Sequence, residues 1–195
     1  MGDIGRTIGG TRSVLAVMRS PSQRDEFTEF VRARSSALHR AAYLMVGDVG
    51  LAEDLVQEAL AKTYVAWPRI RDKRAAEAYA RKVVTTTAIS WFRRKAWKGE
   101  RAVEQVPEGG HGDHAVDVAE QTRLWAALLE LPVRQRTAIV LRYYEDLTEA
   151  QTAAAMGCAV GTVKSQVSAG MVKLRDRLGN DPELLPTLDH MVVTR

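Results

Sequence analysis

The stretch 147–174 carries the densest chemistry in this 195-residue chain, and it makes nucleic acid the first partner to consider. Thr148 and Gln151 stand three apart as a capping box, in which each side chain satisfies a backbone N–H at a helix start near Glu149. Ala153, Ala154 and Ala155 leave room for another helix to approach closely, and Gly157 supplies the positive φ of a sharp turn. Val160, Val163, Val167, Met171, Leu174 and Leu178 then recur at spacings of three and four as one apolar stripe. The other face offers Thr162, Lys164, Ser165, Gln166, Ser168 and Lys173, side chains suited to base edges and phosphates in a major groove. A helical hairpin with a merely solvated polar face fits the same spacing. Cap, turn and stripe together favour a DNA-binding helix-turn-helix, with Thr148, Val160, Gly161, Thr162, Lys164, Ser165, Gln166 and Lys173 as its candidate contacts.

Two further clusters suit charged partners. Trp91, Phe92 and Trp97 are interleaved with Arg93, Arg94, Lys95 and Lys98, so that bases could stack on rings while cations follow phosphates. Trp91 or Phe92 could equally serve a core. Residues 69–101 hold eleven Lys/Arg against three acidic residues in a chain of net charge +4, so the remainder is net negative. Such separation marks a local anion-binding face. Upstream, Glu53, Asp54, Gln57 and Glu58 share one side of a segment whose Leu51, Leu55, Ala59 and Leu60 form a buried stripe. Asp54 and Glu58 sit four apart and repel, which fits either a solvated acidic face or a docking stripe for a basic protein. His111 and His114, beside Asp113 and Asp117, lack the scaffold of a metal site. With no carboxylate–histidine helix motif, phosphate loop or nucleophile elbow, no catalytic residue, metal or cofactor is expected.

The elements that must position these residues read as all-α. Helices are expected over Asp25–Val46, ended by Gly47-Asp48, over Leu51–Trp67, closed by Pro68, and over 74–98. Residues 102–118, with Pro107, three glycines and no Lys or Arg, read as a flexible acidic linker. Helicity resumes near Ala119, pauses at Leu131-Pro132, and ends near Leu178 with Gly179 as a cap. Residues 1–23 read as a flexible leader and 179–195 as a loose tail. Cys158 is the single cysteine, and no apolar run approaches a membrane span or a signal-peptide core, so a soluble cytoplasmic protein is expected.

Ala52-Glu-Asp-Leu-Val-Gln-Glu-Ala59 and Val160-Gly-Thr-Val-Lys-Ser165 carry a resemblance to the extracytoplasmic-function (ECF) sigma factors of bacterial RNA polymerase, over about residues 24–178. Ser90-Trp-Phe-Arg-Arg94 and the Val-Ser pair at 167–168 are similar to the SigE-like subgroup common in actinobacteria. The resemblance implies a sigma-2-like helical domain over 24–101 and a sigma-4-like helix-turn-helix domain over 119–178. The first would dock on core polymerase, at the clamp helices of the largest subunit, through Glu53, Asp54, Gln57 and Glu58. It would bind and melt the −10 element with Arg81, Lys82, Thr86, Trp91, Phe92, Arg93, Arg94, Lys95, Trp97 and Lys98. The second would read the −35 element and meet the polymerase flap. The linker would run through a basic polymerase channel as a nucleic-acid mimic. Implied partners are core polymerase and promoter DNA, both double-stranded and melted; anti-sigma factors belong to the family's partners, and no residue here identifies one. Thr86 stands where many members have Asn, and Ala169 where Arg is common, which leaves base preference open at both. A stand-alone helix-turn-helix regulator, with 24–101 as a dimerisation or ligand domain, remains an alternative. So does a helical nucleic-acid hydrolase using Glu53 and Asp54 as metal ligands.

Overall fold

The computed structural model describes residues 21–70, 72–97 and 123–179, and every regular element among them is helical. Residues 1–20 of the expected 1–23 leader, the linker (102–118), the resumption near Ala119, the tail beyond Gly179, Lys98 and the His111/His114 pair all lie outside the described residues, while residues 21–23 of that leader are helical. Helix α1 (Pro21–Val46) starts four residues earlier than expected, with Pro21 in its first turn, where no intrahelical N–H bond is lost. It buries Phe30, Leu38, Ala41, Ala42, Met45 and Val46 and stops at Gly47, whose φ of +75° reverses the chain.

Asp48 caps α2 (Val49–Ala66) by accepting a hydrogen bond from the Leu51 N–H at 2.6 Å. A 3₁₀ turn, Trp67–Arg69, follows directly. The α-helix thus ends within one residue of the expected Leu51–Trp67 boundary, although not for the expected reason, since Trp67 before Pro68 stays αR with φ −49° and ψ −44°. Packing overrides the local preference, because its indole lies 5.2 Å from the Phe27 ring and 5.3 Å from the Phe30 ring, centroid to centroid. Helix α3 (Lys73–Trp97) begins where Asp72 accepts from the Ala75 N–H. Ala76, Ala80, Val84 and Ala88, four apart, make a slim buried row along which neighbouring helices pack closely.

The second half comprises α4 (residues 123–129), α5 (Val133–Ile139), a five-residue π-turn (Val140–Tyr144), α6 (Glu149–Met156) and α7 (Val160–Leu178). Ala127, Leu128, Leu131, Ile139, Met171, Leu174 and Leu178 form a core of its own. A larger core is shared by both halves: Ala138, Val140, Leu141, Leu147, Ala153, Ala155, Met156 and Val163 join the buried residues of α1–α3. Helix α6 packs along α3, and α5 and the π-turn pack on α1. Two expectations need correcting here. Ala154 points to solvent and only Ala153 and Ala155 are buried, while Val160 leaves the α7 stripe, 39% exposed at the helix start.

Gly157 sits at φ +63°, ψ +42°, and a Cβ added there would meet nothing within 4 Å. Substitution is therefore costly through backbone strain alone. Gly157→Ala is expected to lower stability by about 1–2 kcal/mol and Gly157→Asn by less, read from urea unfolding midpoints.

Candidate nucleic-acid interface

The helix-turn-helix is built from its caps outward. Thr148 Oγ1 accepts from the Gln151 N–H at 3.2 Å and Gln151 Oε1 accepts from the Thr148 N–H at 2.8 Å, completing the capping box. At the far end of α6 the N–H groups of Gly157 and Cys158 both donate to the Ala153 carbonyl, so the turn is closed by backbone alone. Val163, fully buried, anchors α7 under α6. Gly170 lets α7 cross α5 closely, since a Cβ there would lie 2.7 Å from Ile139 Cδ1 and 3.3 Å from Gln135 Cβ.

The anchored helix presents Gly161, Lys164, Ser165 and Lys173 to solvent, with Thr162 and Gln166 half-buried beside them and Thr148 exposed at the α6 start. Lys164 Nζ lies 3.5 Å from Glu149 Oε2 in an exposed pair, which a phosphate could replace at little cost. The Ser165 hydroxyl donates to the Thr162 carbonyl.

On α2, Glu53, Asp54, Gln57 and Glu58 are all exposed, opposite the buried Ala52, Leu55, Val56 and Ala59. Glu58 pairs with Lys62 one turn on. On α3, Lys82, Arg93, Arg94 and Trp97 are exposed, and the Trp97 indole is 91% so. Trp91 and Phe92 meet edge to face, 4.8 Å between centroids, and Lys95 Nζ sits 4.7 Å over the Trp91 ring. Phe92 also packs against the shared core. The Thr86 hydroxyl donates back to the Lys82 carbonyl at 2.8 Å, which turns it into its own helix. Arg81 is half-buried between Glu77 and Glu145, at 2.8 Å from each.

Residues from all three predicted sets meet in one groove of about 1120 Å³: Asp54 from α2, Trp91, Arg93 and Lys95 from α3, and Gln166 from α7. Beneath it lies a residue that sequence reasoning missed. Arg136, 4% exposed, donates through Nε to the Met45 carbonyl at 2.7 Å and through Nη1 to the Leu129 carbonyl at 2.6 Å. Its guanidinium carbon is 5.5 Å from the Phe92 ring centroid. The available signal was its spacing, four before the buried Val140 on the face that should be apolar. Tyr43 stacks on Trp125, 5.0 Å between centroids, and burial pushes the Tyr43 phenol above its ordinary pKa.

The family model "Sigma-70 region 2" matches residues 30–98, and "Sigma-70, region 4" matches residues 121–174. The RNA polymerase sigma-E factor of Streptomyces coelicolor is 41% identical over 153 residues, 78% of this chain and 86% of that protein. The chain belongs to the SigE-like ECF sigma factors of bacterial RNA polymerase. The ECF sigma factor SigW of Bacillus subtilis is 26% identical, over 79% of this chain and 89% of its own length. Among solved structures, the sigma factor RpoE of Bartonella quintana, in complex with the anti-sigma factor NepR, superposes with a TM-score of 0.67. That match is 25% identical and covers 80% of this chain and 99% of the other. As a sigma factor the chain directs promoter-specific initiation of transcription, with core RNA polymerase and promoter DNA as its partners. The stand-alone regulator is thereby set aside. Among the described residues no cluster of three or more metal-ligating side chains occurs, and no helix is long and apolar enough to cross a membrane.

Replacing Arg136 with Met keeps bulk over Phe92 but leaves the Met45 and Leu129 carbonyls without their donor. The expected loss is about 2–4 kcal/mol in urea unfolding, and Arg136→Lys should recover little, because a point charge cannot span both carbonyls.

Proposed function

We propose that residues 24–101 capture and open the −10 element, that residues 119–178 read the −35 element, and that α2 holds the factor on core polymerase. The observation that carries this reading is the exposure of two faces of unlike chemistry, acidic on α2 and cationic-aromatic at the end of α3. A stripe of Glu53, Asp54, Gln57 and Glu58 over an apolar seam suits a basic helical surface on the polymerase. Trp97, with Arg93 and Arg94 beside it, suits a melted strand, where stacking and phosphate contacts offset an unstacking cost of a few kcal/mol. Residues 160–166 enter the major groove of duplex DNA, with Lys164 released from Glu149 to a phosphate or base edge.

In this reading the chain catalyses nothing itself and works in the cytoplasm, where polymerase and promoters are. The acidic segment 102–118 crosses the polymerase as a nucleic-acid mimic. A regulatory partner of the anti-sigma class belongs to the same reading, by likeness to the NepR-bound RpoE.

Mixing the protein with core enzyme and promoter DNA should yield specific transcripts. Asp54→Lys with Glu58→Lys is expected to abolish core binding and transcription while leaving the thermal melt within a few degrees of wild type, since both side chains are exposed. Retained core binding in the double variant would remove the docking assignment. Arg93→Gln with Arg94→Gln is expected to make single-strand binding less dependent on salt, the slope falling by about 0.7 log units for each phosphate no longer neutralised.

A further inference from the structure

One acidic residue stands where the helix-turn-helix should be cationic. Glu149 is the one carboxylate between Leu147 and Arg175, a stretch whose other charges are Lys164 and Lys173. It opens the first turn of α6 and lies 3.5 Å from Lys164 Nζ, with the lysine side chain 63% and the glutamate side chain 43% exposed. A pair so open is worth little to the fold, and a carboxylate on a face that meets DNA repels phosphate. The helix dipole favours an acid in this turn, but that small effect does not call for a lysine on the neighbouring helix.

The fold holds these two side chains beside each other at the reading end of α7. Thr148 and Gln151 exchange hydrogen bonds on either side of Glu149 and so fix the start of α6. Val163, fully buried, seats α7 and leaves the next residue, Lys164, on the outer face. In a helix-turn-helix the early residues of the second helix reach base edges, and Lys164 is among them. Its neighbours are engaged elsewhere: the Ser165 hydroxyl donates to the Thr162 carbonyl, and Gln166 lines the groove beside α3. An acceptor and a donor, adjacent and open to solvent, are thereby offered together.

A G·C pair presents the complementary pattern in the major groove, with the guanine N7 and O6 acceptors next to the cytosine N4 amine. An ammonium meets the two neighbouring acceptors and a carboxylate meets the amine. An A·T pair sets its amine between two separated acceptors, so the ammonium gains one of them at most. Against thymine O4 or guanine O6 the carboxylate brings two acceptors face to face, which excludes those bases as firmly as the amine attracts it.

We propose that Glu149 is a specificity-determining residue of the −35 contact, which together with Lys164 reads a single G·C pair: the Glu149 carboxylate accepts from cytosine N4 while the Lys164 ammonium donates to guanine O6 and N7. The inference rests on the reading of residues 160–166 as the major-groove contact. Away from DNA the two side chains satisfy each other; on DNA each turns to its complement on one base pair. The first helix of the motif thus contributes a base contact of its own, besides seating the second.

The test uses holoenzyme assembled from core polymerase and the full chain, with a pool of promoter duplexes randomised across the −35 element and the bound fraction sequenced. Wild type should require G·C at one pair. Glu149→Ala should admit thymine or guanine in place of that cytosine about fivefold more often, with the other positions unchanged. Glu149→Gln, which keeps the shape and can turn an amide N–H to a carbonyl edge, should admit them too. Lys164→Gln should relax the guanine preference at the same pair. Relaxation at two different pairs would overturn the inference, as would a Glu149→Ala change spread evenly over all sequences, the mark of bare phosphate repulsion. So would a Lys164→Gln variant whose base preference is intact while its salt slope falls by about 0.9, since that places Lys164 on a phosphate. A wild-type profile flat across −35 would remove the reading of residues 119–178 and the inference with it; a wild-type preference left untouched by both Glu149 variants would sink the inference alone.

Discussion

A single buried guanidinium, that of Arg136, constrains how the two halves of this molecule meet. The last carbonyls of a helix have no intrahelical donor, and Met45 supplies one of them at the end of α1. Arg136 answers it, answers the Leu129 carbonyl at the end of α4, and lays its plane near Phe92 at the end of α3. Three helix ends are thereby tied to one side chain on α5. A buried cation is costly unless its donors are spent, and here at least two are spent on the carbonyls that most need them. Arg136 also lines the groove where Asp54, Arg93 and Gln166 converge.

The outer faces follow from this inner arrangement. Once α2 buries Ala52, Leu55, Val56 and Ala59, the spacing of 3.6 residues per turn leaves Glu53, Asp54, Gln57 and Glu58 facing solvent. Once Val163, Met171, Leu174 and Leu178 seat α7, Lys164, Ser165 and Lys173 stand clear of the fold. The apolar half of each helix decides which polar half is offered to a partner, and in a sigma factor those partners are polymerase and DNA.

Much of this is legible in the sequence, and the reason is locality. The capping box at Thr148 and Gln151, the left-handed Gly157 and the end of α1 at Gly47 depend on residues within a few positions, and each is found where the spacing placed it. The family also stands in two short segments, at 52–59 and 160–165, which lie on exposed faces. What is not legible lies between distant residues. Arg136 meets Met45 across 91 positions, Arg40 meets Tyr144 across 104, and Arg81 meets Glu145 across 64. No periodicity encodes such pairs, and the π-turn before Glu145 has no composition signal of its own. The αR geometry of Trp67 is not legible for the same reason: the Phe27 and Phe30 rings hold it against the local preference before Pro68.

In the proposed function α3 and α7 bind the two ends of a single promoter while α2 is held by polymerase. The most direct measurement places photo-crosslinking residues at Arg94 and Ser165, one at a time, in the complex of polymerase, factor and promoter. Adducts are expected from position 94 in the melted strand near −10 and from position 165 in duplex near −35, about 25 base pairs upstream. Adducts from both positions within the same few base pairs, or from neither, would contradict the claim.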